Sequence, residues 1–207
     1  MSGVKICGIN DPVAFDTAVD AGADWVGFVF FEKSPRFVTP VQAVALSARH
    51  VGGPKRVALL VEPSDAAVAE AIEALTPDVL QLYTSAERVR ELRARFGVAV
   101  WRAVGVSGLE DLPTDAGGAD ALLIEAKPPA LATRPGGNSA RFDWGILAGW
   151  KPNFPWLMAG GLTPKNVSVA INVTGAPAVD VSSGVERSPG VKDSAMIRAF
   201  IQAAKAA

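Results

Sequence analysis

Cys7 and Glu125 are the two side chains in this chain best suited to moving a proton. Cys7 lies in VKICGI (residues 4–9), an apolar, β-branched run, and Lys5, two residues earlier, shares its side of an extended strand. A free thiol has a pKa of about 8.5. A neighbouring cation or exposed N–H groups would stabilise the anion and leave the thiol partly ionised near neutrality, as a general base requires. Inert packing of a lone buried cysteine is the competing reading. Glu125 follows Leu122, Leu123 and Ile124, where a carboxylate is costly unless it reaches a solvent-exposed rim. On two sides of one ligand, a thiol base and a carboxyl acid are the minimal equipment for shifting a proton between adjacent carbons.

Other polar side chains stand in similarly apolar runs. A strand covered on both faces should be continuously apolar, so a polar residue near its C-terminal end calls for a reason, which in a barrel is commonly the site. This rule selects Lys5, Gln81 and Tyr83 in VLQLYT (79–84), and Arg102 in AVWRAV (99–104) as substrate-binding candidates. Near the C-terminus, MAGGLTPKNV (158–167) and DVSSGVE (180–186) bring Gly160, Gly161, Asp180, Ser182, Ser183 and Gly184. Small residues in such turns let backbone N–H groups approach a phosphate without needing lysines, although tight turns alone would also need glycine. Arg36, in FFEKSPRFV (30–38), is either a bidentate anchor for a carboxylate or phosphate or a solvated loop arginine. His50, in a helix leading to the third strand, is expected away from the rim, as a helix-terminal or surface residue.

The elements that must position these residues alternate along the chain. Strand-like runs occur at 4–9, 25–30, 56–61, 79–84, 99–104, 121–126, 155–160 and 178–183, separated by Ala-rich amphipathic segments. Ser64, Ser85, Thr163 and Asp193 are predicted helix caps, and Gly22, Gly97 and Gly175 predicted helix ends. The fifth connection, GLEDLPTDAGG, is weakly helical, whereas FDWGILAGW reads as the sixth helix. Eight such units in 207 residues predict an α/β fold of one domain, a closed parallel (β/α)₈ barrel spanning 1–207. The first βα turn lacks GxGxxG, which argues against an open dinucleotide-binding sheet. KPPALATRPGGNSAR (127–141) is long for such a connection. Following the sixth strand, it is expected to form a mobile loop over the C-terminal face, the alternative being a plain surface insertion.

Composition narrows the partners. Twenty basic and 21 acidic side chains give a formal net charge of −1, so no global field draws in nucleic acid or an anionic membrane. One Cys and one His can form neither an intramolecular disulfide nor the usual zinc cage. With no signal-like N-terminus and no apolar run of about 18 residues, the expectation is a soluble cytoplasmic protein. These features are compatible with a monomer or a homodimer.

KICG (5–8), GFVFFEKSPRFV (27–38), VEPSD (61–65), FDW (142–144), AGGLTPKNV (159–167) and DVSSGVERSPGVKD (180–193) resemble, in order and spacing, the signature blocks of the phosphoribosylanthranilate isomerase family. The resemblance implies an Amadori rearrangement of N-(5-phosphoribosyl)anthranilate, without metal or organic cofactor. It implies Cys7 as the base at sugar C2, Glu125 as the acid at the ring oxygen, Arg36 on the anthranilate carboxylate, and Gly161, Ser182, Ser183 and Gly184 around the phosphate. The chain departs from the family pattern at three places. Ile124–Glu125 stands for the Leu–Asp of the family's LLD, QLYT for QLHG at the fourth strand, and GGNS (136–139) for GGTG or GGNG. A diverged phosphosugar-amine isomerase and a non-catalytic phospho-ligand barrel are the alternatives.

Overall fold

Every strand-like run forms a strand in the computed structural model, which describes residues 1–127 and 143–207. They are β1 Gly3–Cys7, β2 Trp25–Val29, β3 Lys55–Val61, β4 Val79–Tyr83, β5 Ala99–Val106, β6 Ala121–Ala126, β7 Trp156–Met158 and β8 Ala178–Val181. Neighbours in sequence pair in parallel, and β8 returns to β1 through Gly3↔Ala178 and Lys5↔Asp180, which closes the barrel.

Helices α1 Pro12–Asp20, α2 Pro40–Ser47, α3 Asp65–Leu75, α4 Ala86–Phe96, α5 Val167–Thr174 and α6 Ser194–Lys205 are described around it. Ser64, Ser85 and Asp193 each accept a bond from the third backbone N–H of their helix, and Gly97 and Gly175 end α4 and α5 in the left-handed conformation. Thr163 does not cap α5. The helix starts four residues later at Val167, and the side chain of Asn166, the residue before it, instead accepts from Thr163 N at 2.7 Å. The expected sixth helix is only a 3₁₀ turn, Trp144–Leu147, because Gly145 and Gly149 bracket a segment too short to propagate. Another 3₁₀ turn, Leu109–Asp111, follows β5. A hairpin of β9 Glu186–Ser188 and β10 Val191–Lys192 lies between β8 and α6.

Three aspartates tie the strands in pairs at their N-terminal ends. Asp24 accepts from Val4 N (2.8 Å), Asp78 from Arg56 N (2.7 Å) and Asp120 from Val100 N (2.8 Å). Each carboxylate precedes an even-numbered strand and clamps the first turns of the strand before it.

Outward-facing strand residues such as Val4, Ile6, Phe28, Leu60, Leu80, Leu122 and Val179 pack against the helices in the main core. Inside the barrel, Val57, Val79, Trp101, Ala121, Leu157 and Ala178 form an apolar floor with Trp25. Above it the inner face becomes polar. The expected 127–141 loop lies, apart from Lys127, outside the described residues. Among those described, no helix is long and apolar enough to cross a membrane.

Candidate active site

The period of two in β1 turns Lys5 and Cys7 into the barrel. Lys5 is fully buried, and its Nζ lies 2.8 Å from Asp180 Oδ1 on the adjacent β8. Gly27 makes room for both: a Cβ there would stand 3.0 Å from Cys7 Sγ and 3.1 Å from Lys5 Nζ. Burial pulls the Lys5 ammonium down, but the attraction and hydrogen bond of Asp180, with a smaller contribution from Cys7, outweigh it and leave the pKa raised. Lys5 and Asp180, expected to touch substrate and phosphate, are each other's partners beneath the mouth. Both are inward-facing side chains one layer below the strand ends.

The Cys7 thiol is raised, not lowered. Burial is the main cause and Asp180 adds to it, while the charge and hydrogen bond of Lys5, and more weakly Lys192, pull the other way without prevailing. The expected cation is therefore present, but burial, with Asp180 adding to it, outweighs its effect.

Glu125 ends β6 on the inner face, 7 % exposed. Burial pushes its carboxyl up to about 8; Tyr83's hydrogen bond and Lys5 oppose this and the charge of Asp180 adds to it. At neutral pH it is mostly protonated, as a proton donor must be. Tyr83, on β4, reaches Glu125 across β5, whose inward residues Ala103 and Gly105 are small. Its own hydroxyl is raised well above the ordinary value by burial and by the charges of Glu125 and Cys7. Gln81, buried one layer below Tyr83, has an Oε1 without a hydrogen-bond partner among the described residues.

Arg102 does not join the site. Trp101 takes the inward position of β5 and lies in the floor, so Arg102 points outward, against Gly117 and within reach of the charges of Asp115 and Arg90. Burial lowers its pKa, and its Nε lacks a partner among the described residues. His50 is also remote: it follows α2, bonds Asp16 at 2.8 Å and packs edge-on against Phe15.

Two turns form the far side of the mouth. Gly160 (φ 88°) and Gly161 (φ 65°) adopt left-handed conformations, and Asn166 Nδ2 braces them by donating to Gly161 O at 3.0 Å. Gly184, in the 3₁₀ turn Ser183–Val185, lies against the Leu162 carbonyl so closely that a Cβ would collide with it, which welds the β7 and β8 turns together. Ser182 immediately precedes that turn.

Arg36 is not a solvated loop residue. It is 4 % exposed, and its Nε and Nη2 donate to the two oxygens of Glu186 at 2.7 and 2.8 Å. Gly8 (φ 77°) has no side chain because Arg36 lies over it: a Cβ would be 2.7 Å from Arg36 Cδ. Glu186 also accepts from Lys192 Nζ at 2.8 Å, and Lys192 donates to Ser182 O at 2.9 Å. Glu186, Lys192 and Asn166 were missed as individual residues. Their signal was a buried-looking charge pair six residues apart directly after the eighth strand, and an Asn at a helix start. Among the described residues, no cluster of three or more His, Cys, Asp or Glu side chains could hold a metal ion.

The barrel mouth thus brings together Cys7, Tyr83, Glu125, Arg36 and the two small-residue turns. The N-(5'phosphoribosyl)anthranilate (PRA) isomerase family model matches residues 4–203. The chain belongs to the phosphoribosylanthranilate isomerase family. A relative named N-(5'-phosphoribosyl)anthranilate isomerase, from Acidiphilium cryptum (strain JF-5), is 52 % identical over 209 residues, covering 100 % of both chains. A phosphoribosyl anthranilate isomerase solved with reduced 1-(o-carboxyphenylamino)-1-deoxyribulose 5-phosphate shares 32 % identity over 100 % of both chains at a TM-score of 0.84. A monomeric form generated from the dimeric isomerase of Thermotoga maritima shares 33 % identity over 100 % of both chains at a TM-score of 0.83. Against the phosphoribosylanthranilate isomerase pattern, two of this chain's departures meet in space: Tyr83 and Glu125 face each other across β5, and each shifts the other's acidity.

Proposed function

We propose that this barrel isomerises N-(5-phosphoribosyl)anthranilate to 1-(2-carboxyphenylamino)-1-deoxyribulose 5-phosphate, the reaction of its family, with Cys7 and Glu125 exchanging the protons. The observation that carries the role assignment is a protonated carboxyl, Glu125, and a thiol, Cys7, on the inner face of one closed mouth. Glu125 gives its proton to the furanose ring oxygen. The C1–O bond breaks, and the anilino nitrogen lone pair forms the C=N bond of an iminium. Cys7, as thiolate, takes the C2 proton; the C–H electron pair becomes the C1–C2 double bond and returns the iminium electrons to nitrogen. The resulting enolamine tautomerises to the amino-ketose. Lys5, beside Cys7 over Gly27, stabilises the thiolate when it forms.

The phosphate is held by backbone N–H groups of the turns at Gly160–Gly161 and Ser182–Gly184, with Ser183 at the start of the short helical turn. Arg36 takes the anthranilate carboxylate. A small phosphoribosyl compound is then the partner, and the near-neutral net charge supports no role for nucleic acid. We place the activity in the cytoplasm, in keeping with a single free thiol. Monomer and homodimer both suit this reading, the latter because the Thermotoga relative is described as dimeric.

The test is turnover of freshly generated phosphoribosylanthranilate, followed by its fluorescence decay, in the native chain, Cys7→Ala, Glu125→Ala and Glu125→Asp. Native turnover that drops by about 10²–10⁴-fold in each alanine variant is the expected result. An inactive native chain would reject the substrate, and an active Cys7→Ala would reject the base.

A further inference from the structure

The hairpin after β8 buries two charges to which no role has yet been given, Glu186 and Lys192. With Arg36 they form a buried cluster at the mouth: the side chains of Lys192, Glu186 and Arg36 are 0, 3 and 5 % exposed. Two cations face one carboxylate, so the cluster carries one positive charge in excess. Buried charge left in excess is costly unless an anion arrives to share it.

The bonding pattern says where that anion sits. A guanidinium is planar with five N–H donors, and Glu186 occupies only its Nε–Nη2 edge. The Nη1–Nη2 edge remains for a second planar carboxylate. Glu186 is in turn fixed from the other side, by Lys192 Nζ and by Gly190 N at 3.2 Å. Gly190 lies against the Pro35 carbonyl beside Arg36, where any Cβ would collide, and its own carbonyl accepts from Asn10 Nδ2 at 3.0 Å. Lys192 carries the connection onward to the Ser182 carbonyl, at the entrance of the β8 turn.

We propose that Glu186 is a positioning residue that holds Arg36 with one edge turned to the substrate's aryl carboxylate. Through Lys192 it fixes that edge relative to the turn that takes the phosphate. The proposal rests on the functional reading above and adds a single buried carboxylate that sets the distance between the two anionic ends of the substrate. Burial pushes the Glu186 carboxyl up, but the bonds from Arg36 and Lys192 outweigh it and hold it at about 2, so it stays ionised wherever the enzyme works.

The experiment is steady-state kinetics of the full chain carrying Glu186→Gln or Glu186→Asp. It is paired with inhibition by the reduced product and by the same reduced compound lacking the aryl carboxylate. Expected for Glu186→Gln is a KM raised about tenfold or more, with kcat within about threefold. The carboxylated inhibitor should weaken in step and the decarboxylated one should not. Glu186→Asp, which keeps the charge, should recover part of the loss. A general structural defect lowers kcat through the active fraction and leaves KM alone; that result, or an unchanged or lower KM, overturns the proposal. If Glu186→Gln does not fold, the same split at about threefold in Glu186→Asp decides, and its absence there overturns the proposal equally. A native chain inactive on phosphoribosylanthranilate would instead reject the functional reading.

Discussion

The floor and the mouth of this barrel are lined by the same eight strands, yet they are made of opposite materials. At the floor, Trp25 and Trp101 meet edge to face at 5.4 Å among Val57, Val79, Ala121, Leu157 and Ala178. At the mouth and just below it, the same alternation delivers Lys5, Cys7, Gln81, Tyr83, Glu125 and Asp180, all buried or half-buried. Apolar burial stabilises the floor at roughly 25 cal/mol per Å². The mouth gains little in that way. Its charges are tolerated because each finds a partner, Lys5 with Asp180 and Arg36 with Glu186, and what they provide is shifted acidity rather than stability.

The largest expected break in this contrast is Trp101→Ala. It should cost about 3–5 kcal/mol in denaturant unfolding while kcat/KM per folded molecule stays unchanged, because the floor holds the fold and not the chemistry. A large loss of kcat/KM in the folded fraction would show that the two ends are coupled.

A smaller effect, of about tenfold in rate, is expected of Tyr83→Phe. Its more telling readout is pH. In the proposed reaction the working state needs Cys7 ionised and Glu125 protonated, and Cys7 titrates above Glu125. The rate should therefore rise with pH until Glu125 titrates at about 8, level off, and fall once Cys7 is ionised. Because the Tyr83 bond favours the ionised carboxylate, losing it raises the Glu125 pKa, and the first bend should move to higher pH. A bend that stays in place would remove Tyr83 from the proton chemistry.

The smallest effect is expected at Arg102. Met there removes a buried Nε with no partner among the described residues, so stability should be equal or higher and kinetics unchanged. A rise in KM for Arg102→Met would return this residue to the site.

The strands were legible because their apolar runs are short and bounded, and their polar ends pointed to the mouth. Reading polarity without phase is what misplaced Arg102: one residue along β5 is the difference between inside and outside, and only the packing of Trp101 inward settles it. The raised Cys7 thiol was not legible because it depends first on burial inside the closed barrel and then on Asp180, 173 positions away, which pairs with Lys5. Glu186 escaped for a related reason: its partner Arg36 is 150 residues distant. The helix expected at 142–150 failed on local grounds, since its glycines could have been weighed from the start.

The three aspartate clamps have a consequence for the order of assembly. They span 20, 22 and 20 residues, so the β1–β2, β3–β4 and β5–β6 units each close over a short stretch of chain. The last seam, Lys5 to Asp180, joins residues 175 apart. That seam, together with the hairpin that reaches Arg36, completes the mouth, so a partly assembled ring offers an anion almost nothing to bind. A tight ligand should therefore retard the opening of the finished ring while leaving the rate of its formation nearly untouched.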